Sequence, residues 1–134
     1  MRIDAHQHFL FPSRVTYPWL EGAALDPLRR EFTPQDLQGE LAESGTQYTI
    51  LVQTRSSLSE TQEFLEIAAR TPFVAGVVGW VDLTDPRVGE TLDALLETAK
   101  GRFLVGIRHQ VHDEPDPMWL VRADVNRGFE TLSA

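Results

Sequence analysis

Hydrophobic positions along this chain fall into two alternating patterns: short β-rich runs, and longer stretches whose apolar residues recur every three or four positions. The β-rich runs are Arg2 to His6, Tyr48 to Gln53, Val74 to Val81 and Phe103 to Arg108. The third is apolar nearly throughout, the pattern of a strand covered on both faces. Between them lie helical stripes. Thr33 as N-cap, Pro34 at the first helical position and Phe32 poised to staple onto Leu37 open the first, which carries Leu37 and Leu41 and stops at Gly45. The second starts at Ser57 or Ser59, each followed three residues later by Glu60 or Gln62, and buries Phe64, Leu65 and Ala68. Asp85-Pro86 is expected to cap a third, with Val88, Leu92, Leu95, Leu96 and Ala99 as its stripe and Gly101 as its end. Asp124 can cap a last helix bearing Val125, Phe129 and Leu132. Strands alternating with amphipathic helices predict an α/β fold with a parallel sheet and right-handed crossovers.

The stretch from Phe9 to Glu31 breaks this rhythm. Its Pro12, Tyr17-Pro18-Trp19, Gly22 and Pro27 read as loop, and its length predicts a covering role. No internal linker divides residues 1–134, so one domain is expected. The last helix is barely established at Ala134, and the chain reads as cut there.

A formal charge of −8, with scattered basic residues, argues against a nucleic-acid partner. The absence of cysteine removes disulfides, thiol catalysis and thiolate ligands, leaving His and carboxylate to hold any metal. With no apolar stretch long enough for a signal peptide or membrane span, a cytoplasmic location and no membrane partner are expected. Neither G-x-G-x-x-G, nor a P-loop, nor G-x-S-x-G is present.

The candidate chemistry gathers at the carboxyl ends of the predicted strands, where parallel α/β folds place their active sites. All four histidines fall there. His6 and His8 end strand one, two residues apart and so on one face, as suits two ligands of a divalent metal, zinc first among them. Asp4 lies on the same ideal-strand face and would orient His6. His109 follows strand four as a substrate contact, general base or ligand, and Arg108 beside it could clamp a carboxylate or polarised carbonyl. Gln53, Trp80, Asp82 and Gln110 end strands two, three and four and are candidate substrate contacts, with Trp19 as a further pocket wall. Polar residues also accumulate wherever strands meet loops, and His112, beside Asp113 and Glu114, reads as ordinary loop. What remains after these exclusions is metal-assisted hydrolysis of a small molecule.

Asp4-Ala5-His6-Gln7-His8-Phe9, Tyr17-Pro18-Trp19-Leu20, Gly76-Val77-Val78-Gly79-Trp80-Val81-Asp82 and Leu104-Val105-Gly106-Ile107-Arg108-His109-Gln110 together resemble the amidohydrolase-related family of TIM-barrel hydrolases. The sugar-lactone hydrolase branch is the nearest in pattern. The resemblance implies the N-terminal half of a (β/α)8 barrel, a metal site to which His6 and His8 contribute, and further ligands beyond Ala134. It implies Arg108 and His109 as substrate contacts and lactone opening by metal- or base-activated water. A metal-dependent decarboxylase of a small carboxylic acid begins with a similar His-x-His. From another class, a non-catalytic fragment would need a complementary half-chain or a second copy, because a half-barrel leaves two strand edges open.

Overall fold

The computed structural model describes residues 1–133. Four parallel strands, β1 (Ile3–Gln7), β2 (Tyr48–Val52), β3 (Val74–Gly79) and β4 (Leu104–Ile107), lie in sequence order in one sheet. Helices α1 (Pro34–Ser44), α2 (Leu58–Arg70) and α3 (Val88–Leu96) form the crossovers, and α4 (Ala123–Leu132) follows β4. The parallel sheet is the one the alternating pattern predicts, and the arrangement is the first half of an eight-stranded (β/α) barrel, as the family resemblance implies. Among the described residues no helix is long and apolar enough to cross a membrane.

The helix-covered face of the sheet carries Leu51 and Val77, which pack with Phe64, Leu65, Ile67 and Ala68 of α2. The other face is open: Val105 there is 58% exposed. Each strand pair has one irregularity in register. Val77 lies opposite Leu104 but Val78 opposite Gly106, so β4 holds an extra residue at Val105. Likewise β1 holds an extra residue between Asp4 and Gln7, and β3 one between Val74 and Gly76. Such bulges bend a sheet, and these have a second consequence. The bulge in β4 restores Gly106, and with it Arg108 two residues on, to the open face of Val78. His109 is thereby turned towards the helix side.

Local signals set most helix ends. Thr33 Oγ1 accepts from the Asp36 amide while Asp36 accepts from Thr33 N at 2.8 Å, a complete capping box, and Gly45 closes α1 at φ 66°. Ser57, not Ser59, caps α2, accepting from the Glu60 amide at 3.3 Å.

Helices α3 and α4 depart from expectation. Asp85 caps no helix but accepts from Arg87 N at 2.8 Å in the turn before α3. That helix ends at Leu96, whose side chain is exposed, because the chain doubles back there. A Cβ on Gly101 would lie 2.5 Å from the Leu96 carbonyl oxygen, an approach only glycine allows. Asp124 lies inside α4, paired with Arg122, and Phe129 and Leu132 are exposed. The buried positions of α4 are Val125 and Gly128, the latter pressed against the Leu83 backbone.

The long segment after β1 is anchored rather than loose. Phe9, Leu10, Phe11 and Tyr17 are buried, Leu10 and Phe32 exchange backbone hydrogen bonds at 3.0 and 2.9 Å, and the Tyr17 hydroxyl accepts from Phe11 N at 2.8 Å.

Candidate active site

At the carboxyl edge of the sheet, His6 Nε2 lies 3.2 Å from His8 Nε2 and 3.2 Å from Arg108 Nη1. Residues 6 and 108 sit on the two outermost strands. Three strand spacings in a flat sheet would separate their backbones by roughly 14 Å. The contact therefore requires the bulged sheet to be concave on this face, so that both side chains converge.

The hydrogen bonds fix which ring nitrogens carry protons. His8 Nδ1 is 2.8 Å from the Val52 carbonyl oxygen, which can only accept, so Nδ1 bears the hydrogen. Burial pushes the His8 imidazole below its ordinary value of 6.5, outweighing the bond to Val52, which acts the other way. His8 Nε2 is then a lone pair. Guanidinium can only donate, so His6 Nε2 is a lone pair as well. Two lone pairs 3.2 Å apart repel unless positive charge lies beside them. Arg108 supplies some of it, and a divalent cation would supply more. Tetrahedral zinc with bonds of about 2.05 Å spaces two imidazole nitrogens about 3.3 Å apart, so the pair fits a cation's bite. It is two ligands of the three or four zinc takes. Among the described residues no group of three or more His, Asp or Glu side chains is placed to hold a metal.

Asp4 acts differently from expectation. The β1 bulge breaks its alternation with His6, and its carboxylate accepts from the His6 backbone N–H at 3.1 Å rather than from the imidazole.

Trp80 and His109 form a second cluster. The Trp80 indole N–H donates to His109 Nδ1 at 3.0 Å, His109 Nε2 lies 2.6 Å from Glu114 Oε1, and the Trp119 ring stacks on the imidazole at 3.9 Å and 11°. Thr61 of α2 fixes the base of this cluster, accepting from Trp80 N at 2.7 Å and donating to Trp80 O at 2.8 Å. Its methyl occupies the space a Cβ on Gly79 would need, 2.5 Å away.

The remaining candidates divide between these clusters and their surroundings. Gln53 is fully buried; its amide nitrogen lies 3.4 Å from the Arg108 carbonyl oxygen, and its own oxygen has no partner among the described residues. It thus touches the Arg108 backbone rather than a cavity. Asp82 accepts from the Thr84 amide and hydroxyl at 2.9 and 2.6 Å and borders the Trp80–His109 cavity. Gln110 lines a separate cavity of about 620 Å³ beside Trp19, Thr54 and Arg55. His112 is exposed and paired with Asp113.

Three participants escape sequence reading. Glu114 and Trp119 lie five and ten residues beyond His109, in a segment of turns without periodicity. Glu60 has the spacing of a helix cap, but its buried carboxylate turns back on the β2–α2 loop. It accepts from Thr54 N (2.8 Å), Thr54 Oγ1 (2.5 Å), Arg55 N (3.0 Å) and Arg55 Nε (3.1 Å). Thr54 O in turn accepts from the Trp19 indole at 2.9 Å, so Glu60 sets one wall of the Trp19 cavity.

Residues 3–134 match the amidohydrolase family model. An L-fucono-1,5-lactonase of Burkholderia ambifaria is 43% identical over 120 residues, covering 89% of this chain and 40% of that protein. One from Burkholderia multivorans is 37% identical over 135 residues, covering 100% and 44%. A crystal structure of a Burkholderia multivorans amidohydrolase with bound zinc superposes with a TM-score of 0.83 at 37% identity, covering 96% of this chain and 44% of that one. The chain thus spans about two fifths of the length of the curated relatives it matches.

Proposed function

Because the chain belongs to the amidohydrolase family, we propose that it carries the first half of a site that opens a sugar-acid lactone with water. The observation that carries this reading is the convergence of two imidazole lone pairs and one guanidinium on a single point of the concave face. A lone pair of His6 or His8 takes a proton from water as the oxygen adds to the lactone carbonyl carbon. Arg108 donates to the oxyanion that forms. The ring C–O bond then breaks, the proton passes to the departing alkoxide, and the product is the open hydroxy acid. His109 has no ring nitrogen free for this work, so the oxyanion role falls to Arg108. Were these same two lone pairs to hold a divalent cation instead, they would no longer act as the base, and the cation would supply Lewis acidity and ease deprotonation of water. The substrate class is supported by the lactonase activity named for both Burkholderia relatives.

The test is acid release from L-fucono-1,5-lactone by this chain mixed with the remaining part of the Burkholderia ambifaria relative. Turnover requiring both parts, and falling about 100-fold in Arg108→Gln, is expected. Turnover indifferent to both Arg108→Gln and His6→Ala would sink the reading.

A specific observation also favours a fragment that acts only with a partner. Strands β1 and β4 each pair on one side only among the described residues, and Val105 of β4 is exposed on the open face. Unpaired edges and uncovered apolar surface favour association with a complementary half-chain or a second copy.

A further inference from the structure

The chain has three tryptophans, and all three lie at the carboxyl edge of the sheet, though only two belong to one cavity. Trp80 and Trp119 line a space of about 300 Å³ together with His109, Glu114, Asp82 and Ser56. The hydrogen bonds of His109 fix the polarity of this wall. An indole N–H can only donate, so His109 Nδ1 is a lone pair and its single proton sits on Nε2, directed at Glu114. Donation runs one way, from Trp80 through His109 to Glu114. With Trp119 stacked on its face, the imidazole is held on three sides. One oxygen of Glu114 is committed to His109, and the other has no protein partner among the described residues.

We propose that this cavity is the subsite for the hydroxylated, uncharged end of a sugar-derived ligand. Glu114 is the residue that accepts its hydroxyl, and His109 is a positioning residue that aims Glu114. The substrate class rests on the lactone reading; the subsite itself rests on the cavity. The half-buried ring of Trp80 takes the C–H face of a sugar ring, Trp119, itself buried against His109, backs the wall, and the free carboxylate oxygen accepts from the sugar hydroxyls. Asp82 and Glu114 give the wall two carboxylates, and the cation that also lines it, Arg122, is already paired with Asp124. An anionic group is therefore repelled, and an uncharged, hydroxylated one is accepted.

The probe is L-fucose, uncharged and rich in hydroxyls, with tetrahydropyran as the ring without them. The readout is the set of three indole N–H resonances of the whole chain, assigned by single Trp→Phe variants. L-Fucose is expected to shift the Trp80 and Trp119 resonances saturably and leave Trp19 in place, while tetrahydropyran does neither. Glu114→Gln keeps an oxygen for His109 but turns the free oxygen into a donor, and is expected to weaken L-fucose binding about tenfold. A long-range proton–nitrogen spectrum should show His109 protonated at Nε2. Shifts confined to Trp19, no shift up to roughly 100 mM sugar, unaltered binding by Glu114→Gln, or a proton on Nδ1 would each overturn the proposal. Sugar binding that survives without any lactone turnover counts against the lactone reading alone. Turnover whose KM ignores Glu114→Gln counts against the subsite alone.

Discussion

Glu60 offers the sharpest test of how this edge of the sheet is built. It is 2% exposed and accepts four hydrogen bonds from two consecutive residues. Glu60→Gln preserves shape but leaves one acceptor oxygen. Placed at Oε2, that oxygen keeps the backbone bonds from Thr54 and Arg55. The new NH2 at Oε1 then forces the Thr54 hydroxyl to reverse and loses the bond from Arg55 Nε. Losing one charge-assisted bond and replacing a charged acceptor by a neutral one should cost about 2 to 3 kcal/mol. For a chain of 134 residues, each kcal/mol corresponds to roughly 3–5 °C in Tm. Urea and thermal unfolding followed by circular dichroism measure the loss. The indole resonance of Trp19, bonded to Thr54 O, reports whether the loop has moved. A variant that keeps its stability to within about 0.5 kcal/mol and leaves the Trp19 resonance unshifted would refute the role given to this carboxylate.

Three further outcomes are expected. Gly79→Ala drives a methyl into Thr61 Cγ2 and should cost about 1 to 3 kcal/mol, much of it recovered by adding Thr61→Ser, which removes that methyl; additive losses in the double variant would contradict the contact. Zinc should bind the isolated chain weakly, perturbing the His8 imidazole in nitrogen spectra in a manner abolished by His6→Ala, whereas tight stoichiometric binding would contradict a two-ligand site. The side-chain and backbone bonds from Thr33 hold the Asp36 carboxyl below the ordinary carboxylate range, so its stabilisation is present above that range and is lost as pH falls through the lowered value. In Asp36→Asn the stability difference from the parent should therefore shrink in acid; a difference independent of pH would contradict the capping box.

The features legible along the chain are local or periodic. The order of strands and helices follows from switching hydrophobic periods, and parallel pairing follows from a helix between each pair of strands. The ends of α1 were legible because Thr33, Pro34 and Gly45 act within one turn of the backbone they start and stop, although the Asp36 half of the capping box was not read. The approach of His6 to His8 was legible because both lie at the end of one strand.

Tertiary structure alone decided the rest. Arg108 reaches His6 across 102 residues only because three bulges curve the sheet, and an extra residue in β4 decides that Arg108, not His109, turns to the concave face. The partners of His109 come from the end of β3 and from turns beyond β4, so no spacing along the chain announces them. Helix α3 stops at Leu96 although its stripe continues to Ala99, because close backbone contact at Gly101 overrides a periodicity that extends past it. Periodicity records which side of an element is apolar. It carries no record of a one-residue slip between neighbouring strands, and here such a slip selects which side chain meets the site.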